Sequence, residues 1–151
     1  MPSSTLRKNS AGILLFRHQP DLQIFLVHPG GPFWAKKNMG VWSIPKGEFS
    51  PGEDQLQTAK REFFEETGAI ISGDFVPLSP VKIQSGKVIY AWSVEGNLDP
   101  TQLKSNTFVL FGKSYPEVDR GEWFSLSIAQ VKIHPAQAKF LTELSSLLTR
   151  I

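Results

Sequence analysis

Cysteine is missing from all 151 residues, which excludes a disulfide framework, a thiolate metal site and a cysteine nucleophile. Net charge is almost missing as well. A balance of +2 from 16 basic and 14 acidic residues gives no reason to expect nucleic acid or a membrane surface as partner. Long hydrophobic runs are also lacking: the first apolar stretch, Ala11 to Phe16 (AGILLF), is far too short to cross a bilayer, and no apolar leader precedes it. A cytoplasmic protein is the expectation. No internal repeat, low-complexity segment, G-x-S-x-G elbow, Walker-type loop or dinucleotide-binding glycine fingerprint is present. What is there suits a globular chain, 40% hydrophobic and 20% charged, long enough to bury a core as one domain. Residues 1–9 are polar and expected to fray, leaving 10–151 as that domain.

Along the chain, Ala11 to Phe16 and Gln23 to His28 read as strands about a turn at Gln19-Pro20-Asp21. Residues 28–40, HPGGPFWAKKNMG, form a long Gly/Pro-rich loop, and long ordered loops tend to be functional. Val41 to Ile44 is expected to be a short strand ended by Pro45. A helix should follow, with Ser50 as N-cap, Pro51 at its first position, Glu53 completing a capping box and Gly68 as its left-handed stop. Leu56, Ala59 and Phe63 share one face of that helix and should pack on a sheet. Val81 to Val94 alternates around Ser85-Gly86 and predicts a hairpin; Thr107 to Phe111 and Glu122 to Ser125 predict further strands. Ser127 to Lys132 suggests one helical turn, and a last helix from about Pro135 aligns Ala138, Leu141, Leu144 and Leu148. Strands, helix, strands, helix is the order of an α+β fold with a mixed sheet covered by helices.

The unusual feature is on the first helix. Glu62, Glu65 and Glu66, at i, i+3 and i+4, fall within an arc of roughly 100°. Like charges so spaced destabilise a helix by about 0.2–0.5 kcal/mol per pair. Carboxylates in a last turn also oppose the helix dipole. Glu62 and Glu66 lie beside the apolar stripe, where partial desolvation makes carboxylates seek cations. Two readings follow from the residues: a site for a hard divalent ion, magnesium or manganese, or an ion pair with Arg61.

Gly47, five residues, Glu53, seven residues and then Arg61-Glu62-Phe63-Phe64-Glu65-Glu66-Thr67-Gly68-Ala69 resembles the Nudix box with every fixed position filled. Nine matched positions in 23 residues make that resemblance specific. It implies a Nudix-type α/β/α sandwich and an enzyme that hydrolyses a nucleoside diphosphate linked to another moiety. It further implies that Glu62, Glu65, Glu66 and the Gly47 carbonyl hold divalent ions, Mg2+ or Mn2+. Arg61 would orient a glutamate, and Glu53 would pair with Arg61 as well as capping the helix. The general base is Glu62 or a residue before Trp123, where Glu117 is favoured over Asp119 and Glu122.

Substrate choice lies outside the box. Trp42-Ser43-Ile44-Pro45-Lys46-Gly47 resembles the approach to the box in diadenosine polyphosphate hydrolases, with Lys46 placed to contact a phosphate, or else solvated beside a turn. Phe33 and Trp34 can stack on a base, with Lys36 and Lys37 near its phosphates, or can fill a core. Tyr90 and Trp92 share one strand face and fit the core better than a cleft. His18, His28 and His134 lack metal-ligand spacing and are expected at the surface or as caps. The expected partner is a small nucleotide substrate. A nucleoside triphosphate sanitising enzyme and a non-catalytic nucleotide sensor are the rival readings.

Overall fold

The computed structural model describes residues 8–149. Most of the N-terminal stretch expected to fray, 1–7, lies outside the described residues. Asn9 is held: its carbonyl accepts from Phe49 N–H at 3.0 Å and its side-chain oxygen from Val88 N–H at 2.9 Å.

In chain order the elements are β1 (Ser10–His18), β2 (Leu22–Pro29), β3 (Lys46–Glu48), α1 (Gln55–Thr67), β4 (Val76–Pro77), β5 (Val81–Lys82) and β6 (Val88–Glu95). They continue with β7 (Thr107–Leu110), β8 (Lys113–Pro116), β9 (Val118–Ser125), α2 (Leu126–Lys132) and α3 (Ala138–Leu148). The main sheet runs β4-β6-β1-β2-β9, with β3 added to β1 and β5 to β6. β1 and β6 are parallel and the other pairs antiparallel, so the sheet is mixed as expected.

Alternation along β1 divides the core. Leu14 and Phe16 point to one face, where they meet Phe140, Leu141 and Leu144 of α3 and Ala129 of α2. Ala11, Ile13 and Leu15 point to the other and meet Ala59 and Phe63 of α1. Helices on both faces make the α/β/α sandwich. The stripe foreseen on α1 is the packed one: Ala59 and Phe63 are buried and Leu56 is partly buried against them. Trp92 joins this α1-side core, and Tyr90 meets Phe49 edge-on at 5.9 Å.

Several expectations need correction. Helix α1 starts later than Ser50, with Asp54 as its N-cap accepting from Gln57 N–H at 2.9 Å. Gly52, at φ 92°, is left-handed, so Ser50 to Glu53 folds as a separate turn, closed by Glu53 N–H to Ser50 O at 3.1 Å. The reciprocal bond of the capping box still forms, from Ser50 N–H to Glu53 Oε1 at 2.6 Å. Residues 41–44 are no strand: Trp42 and Ser43 make isolated bridges to Ile133 and Val27. The adjoining Ile44 N–H goes to Gln137 Oε1 at 3.1 Å, so the backbone is satisfied without a ladder. Among the described residues the strand over 107–110 pairs only with the unforeseen β8, in a separate two-stranded hairpin. The strand expected at 122–125 begins at Val118. Gly68 does end α1, at φ 79°.

Candidate active site

Strand β3 lays Lys46, Gly47 and Glu48 against Gly12, Ala11 and Ser10, which brings the entry to the box alongside α1. A Cβ at Gly47 would fall on the Glu62 carboxyl, so a side chain there would force Glu62 to move. Glycine at this position therefore lets Glu62 press against bare backbone. The Glu62 side chain is 16% exposed.

Arg61 gathers three carboxylates. Its Nη1 lies 3.6 Å from Glu53, its Nη2 3.3 Å from Glu62 and its Nε 3.7 Å from Glu65. The bond to Glu62, then the charges of Glu62, Glu65 and Glu53, hold the guanidinium proton more tightly than usual, against partial burial. Glu53 sits below the ordinary carboxylate range, chiefly because Ser50 N–H donates to it and then through Arg61. Glu62 goes the other way: burial first, then the charge of Glu65, outweigh Arg61. Glu66 is pushed up to about 8 by burial, with Lys46 opposing and Glu62 and Glu117 adding to the rise. One end of the helix is thus rich in carboxylates and short of cations.

Lys46, Glu66 and Glu117 line a single cleft of about 130 Å³, together with Val27, Pro29, Ser43, Ile44 and Val118. Glu117 is held there by its backbone, accepting from Gly30 N–H at 2.9 Å and donating to Asn106 O at 2.8 Å. The other two carboxylates considered with it are elsewhere engaged. Asp119 binds His28 Nδ1 at 2.8 Å, and Glu122 is solvent-facing, 3.9 Å from Arg120. A larger groove of about 700 Å³ opens between Phe16, Val76, Leu144 and Leu148, and no residue of the box lines it.

Trp34, Lys36 and Lys37 do not line the cleft. Phe33 and Trp34 meet edge-on at 4.7 Å, and the Lys37 ammonium lies 3.8 Å from the Phe33 ring centre and 5.3 Å from that of Trp34. Phe33 is 64% exposed, Trp34 half-buried and Lys36 exposed, so this aromatic pair is a surface feature and not core.

His18 is exposed beside Glu95, and His134 caps the turn before α3 by accepting from Ala136 N–H at 3.1 Å. His28 corrects the surface expectation. It is wholly buried, and alternation along β2 (Ile24, Leu26, His28) was the signal that could have placed it.

Among the described residues no three His, Cys, Asp or Glu side chains are gathered closely enough to hold a metal ion. In kind, the donors suit one. They are hard oxygens from Glu62, Glu65, Glu66 and the backbone at Gly47, two of the carboxylates are under-neutralised, and Arg61 is the counter-ion that draws Glu62 and Glu65 together.

Residues 6–144 match the sequence profile of the NUDIX domain. The chain belongs to the Nudix family. Solved relatives share the fold: the Ap4A hydrolase of C. elegans, in a binary complex, superposes with TM-score 0.69 at 18% identity over 95% of this chain and 100% of that one. The NUDIX domain of Shewanella oneidensis NrtR, complexed with ADP ribose, gives 0.67 at 19% identity over 99% and 94%. In sequence, the chain is 42% identical to the mouse asymmetrical bis(5'-nucleosyl)-tetraphosphatase over 67 residues, 40% of this chain and 46% of the mouse protein. It is 53% identical to the RNA pyrophosphohydrolase of Erythrobacter litoralis over 32 residues, 21% of this chain and 20% of that protein. The matched stretches thus span less than half of either relative. In this Nudix domain no helix among the described residues is long and apolar enough to cross a membrane.

Proposed function

We propose that this protein is a divalent-metal-dependent Nudix pyrophosphohydrolase acting on a nucleoside diphosphate linked to another moiety, with dinucleoside polyphosphates of the diadenosine tetraphosphate type as the favoured substrates. The observation that carries the reading is the meeting of Lys46, Glu66 and Glu117 in one cleft beside a complete, under-neutralised Nudix box. Glu62, Glu65, Glu66 and the Gly47 carbonyl would hold the ions. Bound there, a divalent ion would neutralise phosphate charge and make water a better nucleophile.

The chain's own residues supply the rest. Lys46 offers a point charge to a phosphate at the cleft wall. Glu117 is the base that takes a proton from the attacking water, its backbone fixed on both sides. Glu62, pressed to Gly47 and bonded to Arg61, is better placed as a ligand than as the base. Arg61, in contact with both Glu62 and Glu65, would orient the two carboxylates as ligands. Trp34, with Phe33, offers an exposed aromatic surface for a nucleoside, and Lys36 and Lys37 add positive charge beside it. Residues 10–151 act as a single domain.

The lean to dinucleoside polyphosphates rests on the Pro45-Lys46-Gly47 approach and on the similarity to the mouse tetraphosphatase. The similarity to an RNA pyrophosphohydrolase supplies a second reading, a phosphorylated RNA as substrate. A substrate panel with magnesium, run in oxygen-labelled water, separates them. Fastest turnover of diadenosine tetraphosphate is expected. Turnover of nucleoside triphosphates or triphosphorylated RNA without it would reject the lean. Tight nucleotide binding with no hydrolysis of any member would make the protein a sensor.

A further inference from the structure

His28 is the last β2 residue before the ladder shifts register, at the His28/Pro29 step, and its side chain is wholly buried. Its two ring nitrogens face different parts of the chain: Nε2 lies 2.6 Å from the Lys37 carbonyl oxygen and Nδ1 2.8 Å from Asp119 Oδ1. A carbonyl only accepts, so Nε2 must carry hydrogen. The second contact then joins a ring nitrogen to a carboxylate and needs a proton of its own. That proton lies between His28 Nδ1 and Asp119 Oδ1, so the buried ring is hydrogen-bonded at both nitrogens. The remaining neighbours are the Trp42 ring, edge-on at 5.1 Å, and behind it the Arg120 guanidinium, 5.2 Å from that ring.

This pair ties together two segments that the proposed chemistry uses separately. Through Lys37 O it holds the loop that carries Phe33, Trp34 and Lys37. Through Asp119 it holds the chain two residues beyond Glu117. A second tie lies on the near side, where Gly30 N–H donates to Glu117 O. Gly30 cannot be replaced without displacing the Pro116 carbonyl, so this approach is as close as backbones allow. Glu117 is therefore bracketed, by Gly30 at its own carbonyl and by His28 at Asp119. We propose that the His28–Asp119 hydrogen-bonded pair, with its buried imidazole, is a positioning device that fixes the aromatic loop and the Glu117 strand in one register, coupling nucleoside contact to placement of the base. The coupling rests on the hydrolase reading; the hydrogen-bonded pair does not.

Nitrogen-15 NMR of histidine-labelled wild type tests the pair, and His28 is expected to show hydrogen on Nε2 and a hydrogen bond at Nδ1 that Asp119→Asn alters. A bare Nε2, or an Nδ1 signal unmoved by Asp119→Asn, would overturn the pair. The coupling is tested with His28→Phe, which keeps an aromatic ring and removes both nitrogens, and with Asp119→Asn, which keeps an acceptor oxygen and removes the carboxylate. Each should raise KM for the best substrate by about 10–100-fold, with a smaller fall in kcat per folded molecule. The double variant should be no worse than the worse single one. Unchanged KM with reduced kcat, or independent multiplying effects, would overturn the coupling. If the wild type hydrolyses nothing, the hydrolase reading fails by itself. Affinity for ADP with magnesium then replaces KM: a weakening of about tenfold in both variants supports the tie between loop and strand, and unchanged affinity overturns it.

Discussion

The wall of the cleft formed by β3 and α1 takes Lys46 and Glu66 from one stretch of 21 residues that also holds Gly47 and Glu62. The facing wall takes Val27 and Pro29 from the end of β2 and Glu117 and Val118 from the start of β9, some 90 residues apart. On the first wall, spacing along a helix and one tight backbone approach are enough to crowd the carboxylates. On the second, position depends on a bulged ladder, the His28–Asp119 contact and the Gly30 to Glu117 bond. On the proposed reading, the first wall carries the metal chemistry, and the second sets which nucleotide is taken and how the base is aimed.

The two walls should fail differently. The largest effect belongs to the first: chelating the metal, or Glu66→Gln, should abolish turnover by more than the ~10²–10⁴-fold expected for loss of a general base. Glu117→Gln on the second wall should fall within that smaller range with the fold intact by circular dichroism, and near-normal turnover would move the base elsewhere. Lys46→Ala should chiefly raise KM, by roughly 10–100-fold, as for loss of a charged hydrogen bond. A kcat effect alone would remove Lys46 from substrate binding.

Stability shows the same contrast. The Glu66 carboxyl is raised from 4.5 to about 8 in the folded protein, so its contribution is present below pH 4.5 and is lost as pH rises through 8. Without metal, Glu66→Gln should therefore be more stable than wild type by roughly 1–3 kcal/mol at pH 9 and no more stable at pH 4.5, measured by urea unfolding. The smallest test concerns the helix start: Asp54→Ala should cost about 0.5–2 kcal/mol, and more than Ser50→Ala.

The legible parts were those decided locally. The box, the buried stripe of Ala59 and Phe63, the stop at Gly68 and the hairpin turn at Gly86 follow from residue spacing and turn chemistry. Errors arose where a distant partner or a backbone angle decided. Ser50, Pro51 and Glu53 satisfy every side-chain requirement of a helix start, yet the left-handed Gly52 between them ends the turn before the helix begins. The strand-like residues 41–44 spend their hydrogen bonds on Val27, Lys132, His134 and Gln137. β8, with Lys113, Ser114 and Pro116, lacks the apolar alternation of a packed strand because its hairpin stands apart from the main sheet. Glu117 lines the cleft, whereas Asp119 turns to the buried His28, a partner 91 positions away that sequence spacing does not reveal.

The central claim is that the carboxylates of α1 are a cation site, crowded by Arg61 and left under-neutralised until a metal arrives. Titrating magnesium into wild type and Glu66→Gln while following the melting temperature tests it without reference to any substrate. The wild type should climb with metal concentration and the variant should respond much less; equal shifts in the two proteins would contradict the account.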